Sequence, residues 1–492
     1  MPHHANLRCR TGLIVSRLCG STLRSRTTLR RHDLPTSSSA CSLQTQQCIF
    51  RPNVDVVRGY ATNQEKKVPL LKKTSPYWHL FETRAKRRWQ GRSLLDVLST
   101  EFRERSMDYY RYAVDSRLVL INGQVAKPGA TIRNDDRIDC MVHRHEPPIT
   151  STPVRVLHHD RVHGFIVVDK PSSIPVHPTG RYFRTSLIEI LKHDFGFENV
   201  HAVNRLDRLT SGIMIIPLIT PLAKTLYNEF ANGTVQKEYI ARCKGNFPSG
   251  EITCNSPLLA IDRQMALNIV HHEGKPSLTI FKRLRYDPST DTSIVHCRPM
   301  TGRSHQIRVH LQYLGHPVAN DPIYSEARIW ASFKSSGKRL GKGGVETIPN
   351  TEQCALSHPR ESRSDAATDP ELLSRRYDDI GLASPVPLSA ELIRIIQRLR
   401  DLKDEEENWS RLRDTAFLSG RPPAVGDDAA SYCPECFFPL RPDPKHARLR
   451  IFLHALRYTT SLGTFETEMP GWATERWTWD AEHSGDDVSI VT

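Results

Sequence analysis

The stretch His201-Ala-Val-Asn-Arg-Leu-Asp-Arg-Leu-Thr-Ser-Gly-Ile-Met-Ile-Ile216 constrains this chain more than any other. Arg205 and Asp207 sit two apart, after a short β-like segment and before Thr210-Ser211-Gly212. An apolar run, Ile213 to Ile216, follows at once. An acid between apolar strands is costly to bury unless it is paired or hydrogen-bonded. Two readings follow. Asp207 is either a surface turn residue, bonding the backbone near Leu209 in an Asx-type turn, or a carboxylate held for chemistry. An Arg-x-Asp pair alone does not choose between them.

The surrounding pattern indicates an α+β fold with a mostly antiparallel sheet. Between residues 150 and 325 the chain alternates short strands and a few helices without regular βαβ spacing. Gly164 to Pro171 reads as a buried strand. Thr185 to Phe195 reads as a helix closed by Gly196, and Pro221 to Phe230 as one closed by Asn232-Gly233. Strands are expected at Lys237–Cys243, Ser277–Tyr286 and Thr292–Arg298. Gly302 to Leu314 reads as an amphipathic helix, with Arg303, Gln306 and His310 able to share a face.

Flanking segments differ. Residues 61–91 form a basic connector, with Arg84, Lys86, Arg87, Arg88 and Arg92 clustered around Trp89. Such a cluster suits phosphate contacts with base stacking, or else a solvated basic face. Residues 92–145 read as a small helix–helix–hairpin module, with apolar faces at Leu94, Leu95, Val97, Leu98, Phe102 and at Tyr109, Tyr110, Ala113, Val114. Asn122-Gly123 marks its hairpin. His143-Arg-His-Glu-Pro-Pro148 follows as an extended linker; it lacks the His-Glu-x-x-His spacing of a helical zinc site. Residues 326–430 are polar and read as a largely disordered insertion with one helix, Ala390–Leu402. Within it, Gly337–Gly344 lacks the spacing of a phosphate loop. Residues 431–492 return to strand character at Leu449–Tyr458. Cys433-Pro-Glu-Cys436 has the spacing of half a zinc ribbon, but only His446 and His454 follow to complete it, so no metal is expected.

The formal net charge is +14, and the first 60 residues supply half of it: nine Arg, no Lys and two acids. That composition, rich in Ser and Thr, is that of a mitochondrial transit peptide, with a cleavage candidate after Tyr60. A generic basic tail is the alternative reading. A matrix enzyme is the expectation. No segment has the apolar length to span a bilayer, and the eleven scattered Cys suggest no disulfide framework.

Set together, Asp169-Lys-Pro171, Arg205-Leu-Asp-Arg-Leu-Thr-Ser-Gly212, Lys237-Glu-Tyr239 and Thr301-Gly-Arg-Ser-His-Gln-Ile-Arg308 resemble the RluA-type family of RNA pseudouridine synthases in order and spacing. The resemblance implies that family's mixed, mostly antiparallel sheet. It places Asp207 at the catalytic Asp, Tyr239 at the active-site Tyr, and Arg308 at the Arg that pairs with the Asp. Arg205 matches a residue that helps to extrude the target nucleotide, and Asn204, Arg303, His305 and Gln306 fall in the substrate-binding motifs. The family usually has His where this chain has Asn204. Asn204, the His143–Pro148 linker and His177-Pro-Thr-Gly-Arg181 resemble the fungal branch that modifies position 32 of tRNA, its mitochondrial member included. "Val-Leu-Ile-Asn-Gly" at 119–123 and "Ile-Arg-Asn-Asp-Asp-Arg-Ile" at 132–138 resemble an S4-type RNA-binding module.

The implied reaction breaks a C–N glycosidic bond, turns the uracil and joins the ribose to ring carbon 5. It has no redox or phosphoryl step and requires no cofactor. It needs one carboxylate that stays ionised while desolvated, for which Arg308 would supply the opposite charge. A tRNA is the expected partner, and the protein is expected to act as a monomer. The competing readings are a non-catalytic RNA-binding protein on a degenerate synthase fold and a glycoside hydrolase. The latter normally needs two carboxylates, and the motif set contains only Asp207.

Overall fold

The computed structural model describes residues 70–102, 107–262, 265–330, 380–381, 384–407, 433, 435–436, 440, 442–475 and 477–479. The expected transit peptide, Gly337–Gly344 and most of the 326–430 segment lie outside these residues.

The first part contains β1 (Leu71–Lys72), β2 (Tyr77–Arg84), α1 (Leu94–Glu101), α2 (Met107–Asp115), β3 (Val119–Ile121), β4 (Gln124–Val125), β5 (Arg137–Arg144) and β6 (Ile149–Thr150). Four strands form one antiparallel sheet in the order β2-β5-β3-β4. Ser93 caps α1 by accepting from the Asp96 amide. Asn122 and Gly123 both have positive φ, 53° and 78°, as a tight hairpin turn requires. The Asn122 carboxamide also donates to Asp136 and accepts from the Arg137 amide, so the two motif turns brace each other.

Two expectations change here. Tyr77–Arg84 is not connector: it pairs with β5 along its whole length. Its inward residues are Tyr77, His79, Phe81 and Thr83, and apolar Trp78 and Leu80 on the outer face hide that alternation in the sequence. Trp89 is buried with Leu94, Leu98 and Tyr110 in the core beneath the sheet, so it cannot be a stacking platform for bases.

The second part contains β7 (Arg155–Asp160), β8 (Phe165–Lys170), α3 (Leu187–His193), β9 (Ser211–Pro217), α4 (Thr220–Asn232), β10 (Gln236–Lys244), β11 (Glu251–Asn255), β12 (Leu258–Asp262), β13 (Leu267–Val270), β14 (Leu278–Asp287), β15 (Thr292–Pro299), α5 (Gln306–Tyr313), α6 (Ala327–Trp330), α7 (Ala390–Glu407), β16 (Leu453–Thr460) and β17 (Gly463–Glu466). The main sheet runs β11-β14-β15-β10-β16-β9-β8-β7, with β17 on β16. Only β16 and β9 are parallel neighbours in it, so the fold is α+β with a mostly antiparallel mixed sheet. The C-terminal strand β16 thus fills the centre, between β10 and β9.

That insertion explains Gly212. Its φ is 118°, and a Cβ there would run into the backbone of Ala455 on β16. One apolar cluster gathers β8, β9, α3 and α4; another gathers β10, β15 and α5. A third joins β12, β13 and Val309 of α5 to Leu392, Ile395, Ile396 and Leu399 of α7. Helix α7 is therefore part of the folded core, not an ordered island in a disordered insertion. Buried Arg400 on it pairs with buried Asp262.

Candidate active site

Asp207 lies in a turn closed by backbone, the Thr210 amide donating to the Asp207 carbonyl at 3.1 Å. Its side chain is therefore not spent on an Asx turn. Oδ2 accepts instead from Arg308 Nη1 at 3.0 Å. The turn is held from below. Lys170, wholly buried at the end of β8, donates to the carbonyls of Pro171 and Ile174, each at 2.9 Å, and lies 3.5 Å from that of Arg208. From the far side, the Ile451 amide donates to the Leu209 carbonyl.

Arg308 comes from α5. That helix starts at Gln306 rather than Gly302: residues 300–305 form a loop between β15 and α5. His305 sits at its start with φ 58°, a left-handed conformation that non-glycine residues rarely adopt. The Arg308 side chain is only 4% exposed, while Asp207 is 26% exposed. Asp321, fully buried, takes the rest of the guanidinium through Nε and Nη2 at 2.5 and 2.9 Å. Burial pushes the Asp207 pKa up, but His305, which is charged only in acid, and the permanent charges of Arg308 and Arg205 outweigh it and hold the carboxyl below its ordinary value. His305 Nε2 stands 3.6 Å from Asp207 Oδ2, and its Nδ1 is 3.0 Å from Tyr324 Oη. Burial, aided by Arg308, pushes the His305 pKa down to about 4, so the ring is neutral at pH 7.

Tyr239 reaches the site from β10. The pairing of β10 with β16 slips at Glu238/Tyr239: Glu238 opposes Arg457 and Tyr239 opposes Ala455, leaving Leu456 as a bulge. Bulges re-aim side chains beside functional sites. Tyr239 Oη lies 2.8 Å from the Oη of wholly buried Tyr458. Burial pushes the Tyr239 pKa up to about 12, and the charge of Asp207 adds to this.

The remaining expected residues divide. Arg205 and Arg303 are exposed at the edge of these loops, open to a ligand. Asn204 lies beside Tyr458, and its side-chain carbonyl oxygen is buried with no hydrogen-bond partner among the described residues. Gln306 is buried and committed to the protein: its carbonyl accepts from Thr301 Oγ1 and the Arg303 amide, and its amide donates to Leu278 O and Thr279 Oγ1. It shapes the loop and has no capacity left for substrate. His310, placed on the same face by the helical reading, is buried against Thr279 and the Ser256 carbonyl. In the basic cluster, Arg84 pairs with Asp135, Arg88 with Glu101, and Arg92 with Asp96 and Glu101. Exposed Lys86 and Arg87 have no carboxylate partner among the described residues.

Lys170 stands out in sequence only as part of Asp169-Lys-Pro171, and Asp321 and Tyr458 belong to none of the motifs. Asn320-Asp-Pro322 reads as a turn, and Asp321 does accept from the Ile323 and Tyr324 amides. Only its spatial position reveals its second task. Tyr458 was visible as strand, without a hint that its hydroxyl meets Tyr239.

A desolvated carboxylate kept anionic beside an aromatic ring can attack or deprotonate a bound sugar or base without a metal. Among the described residues no helix is long and apolar enough to cross a membrane. Residues 164–313 match a family model described as RNA pseudouridylate synthase. The chain is 36% identical over 419 residues to human pseudouridylate synthase RPUSD2, covering 83% of this chain and 74% of the relative. It is 45% identical over 278 residues to the mitochondrial tRNA pseudouridine(32) synthase of Saccharomyces cerevisiae, covering 56% of this chain and 58% of that one. The tRNA pseudouridine(31) synthase of the same yeast is 27% identical over 449 residues, covering 82% and 95%. Sequence kinship over most of the length, on a sheet whose loops bring Asp207 and Arg308 together, makes this chain a member of the RNA pseudouridylate synthase family and an enzyme that isomerises uridine in RNA.

Proposed function

We propose that the enzyme acts on tRNA in mitochondria, at position 32 of the anticodon loop, with Asp207 as the reacting carboxylate. The observation that carries the catalytic reading is the Asp207–Arg308 pair, which keeps a carboxylate charged in a site only partly open to water. The position and compartment rest on similarity to the yeast mitochondrial enzyme and on the basic leader.

In this reading the target uridine leaves its stack. Arg205 enters the gap, Arg303, Lys86 and Arg87 hold phosphates, and the sheet β2-β5-β3-β4 with its two helices carries flanking RNA. Asp207 meets the ribose–base junction. The N1–C1′ bond breaks, the uracil turns, and C5 joins C1′. The C5 hydrogen leaves as a proton and N1 gains one, so atoms and electrons balance. Tyr239 stacks on the uracil and excludes water. Its raised pKa keeps the hydroxyl protonated, so it is a donor there rather than a base.

Similarity to the position-31 enzyme, which spans nearly all of that relative, supports a second reading. Pseudouridine mapping in mitochondrial and cytosolic tRNA from a deletion strain separates them. Loss at position 32 in mitochondrial tRNA is expected. Loss at 31 favours the second reading, and loss confined to ribosomal RNA overturns both while keeping the reaction class.

A further inference from the structure

Two features set aside for catalysis meet in space. His143 lies near the end of β5 and His145 just beyond it, in the linker to the catalytic part. Cys433 and Cys436 lie about 290 residues further along the chain, past α7. One ligand-type atom from each of the four falls within 4.8 Å of all the others. His145 Nε2 is 3.2 Å from Cys436 Sγ, and His143 Nδ1 is 3.6 Å from Cys433 Sγ. A tetrahedral ion with bonds of about 2.0–2.3 Å to nitrogen and sulfur separates neighbouring ligands by roughly 3.3–3.8 Å.

Three further observations point to an ion and not to chance polar contacts. Both cysteines are buried, at 3% and 7% exposure, yet they belong to none of the larger apolar clusters. They are thiols in the structure, not a disulfide. And His143 is oriented as a metal ligand usually is: with Nδ1 toward the sulfur, its Nε2 faces the Glu435 carboxylate at 3.4 Å. Glu435 is itself fixed by the Trp78 indole at 2.9 Å, and Trp78 is the register partner of His143 and lies over its ring.

We propose that His143, His145, Cys433 and Cys436 bind one zinc ion that ties the N-terminal sheet to the polypeptide entering the catalytic core. Two thiolates and two imidazoles in a closed, tetrahedral set select zinc over oxygen-loving cations. All four positions are filled by protein, so the ion is structural and takes no part in the isomerisation. The half ribbon at Cys433-x-x-Cys436 is completed from upstream, not by His446 or His454. His454 is instead engaged with Ser211 Oγ at 2.8 Å and Thr467 Oγ1 at 2.6 Å. The staple reinforces neighbouring contacts. Glu146, next to His145, accepts from Tyr77 Oη and from the Arg184 and Thr185 amides, and Lys73 pairs with Asp443 at 2.6 Å. From there the chain runs into β16, which carries Tyr458. The ion would thus set where the N-terminal sheet stands relative to the site.

The test is the metal content of the full chain purified under reducing conditions. About one zinc per chain is expected, released by a thiol-blocking mercurial, and cobalt substitution should give the visible absorption of a tetrahedral thiolate site. Cys433→Ser/Cys436→Ser should carry no zinc. Should that variant not fold, Glu435→Gln serves in its place: it keeps the four ligands and should hold zinc 10–100-fold more weakly against a competing chelator. Folded, reduced protein that takes up no zinc overturns the proposal, as do a Glu435→Gln affinity equal to wild type, a serine double variant retaining its zinc, or a native Cys433–Cys436 disulfide.

Discussion

Arg308 is shared unequally between two aspartates: Asp207 receives one nitrogen at 3.0 Å, while Asp321 receives two. The buried acid therefore fixes the guanidinium, and the partly exposed acid borrows its charge. Replacing Asp207 by Asn removes the carboxylate proposed to react but leaves Arg308 neutralised by Asp321. Asp207→Asn should fold, melt within a few degrees of wild type and bind tRNA with little change. It should form no pseudouridine. Product at more than about 1% of the wild-type rate would exceed what loss of a positioned catalytic group permits and would remove Asp207 from the reaction.

The same asymmetry makes Asp321 the more dangerous residue to alter. In Asp321→Asn the fully buried guanidinium loses its two-point partner, and breaking one side of a buried ion pair costs about 3–5 kcal/mol. Denaturant unfolding should show that loss. In folded protein kcat should fall more than KM rises, because Arg308 no longer presents Asp207 correctly. An Asp321→Asn enzyme as stable as Asp207→Asn would show that Asp321 does not anchor the pair.

Much of this was legible in the chain. Periodicity placed the helices at 185–195 and 221–230, and Asn232-Gly233 stops α4 with φ 75° at the glycine. The resemblance to the synthase family, not spacing by itself, implied that Arg308 pairs with Asp207. What local pattern could not express were meetings across long separations. Asp321 reads as a turn aspartate, Gln306 as a ligand-facing helix residue, and Trp89 as an aromatic among cations. Their tasks depend on burial by neighbours distant in sequence. Spacing rules see only one half of a site, so neither His143 nor Cys433 reads as a ligand by itself.

Gly212 tests the central strand insertion. Gly212, the last residue before the apolar run, pairs with Ala455 in the parallel register of β9 and β16. Gly212→Ala adds a Cβ into immovable backbone at φ 118°. The loss should exceed the roughly 1–3 kcal/mol of ordinary overpacking, and activity should fall with it, because the Asp207 turn feeds into this strand. A neutral Gly212→Ala, by unfolding and by turnover, would mean that β16 does not close against β9.

Acid sensitivity should come from two buried histidines. Burial pushes both His305 and His454 from the ordinary 6.5 down to about 4. Between those values the unfolded chain takes up protons that the folded chain refuses. Stability is therefore intact above pH 6.5, falls as pH drops toward 4, and loses nothing further from these groups below that. Each shift corresponds to about 3 kcal/mol by linkage. Asp207, also held low, adds a loss of the same sign at lower pH. His454 lies outside the reacting groups and bonds Ser211 and Thr467, so His454→Gln removes one titration while keeping an amide that can donate and accept. Unfolding free energies measured at pH 7 and pH 4 should differ less in His454→Gln than in wild type, by up to about 3 kcal/mol. An identical pH dependence in the two proteins would show that His454 is not the buried neutral base this site requires.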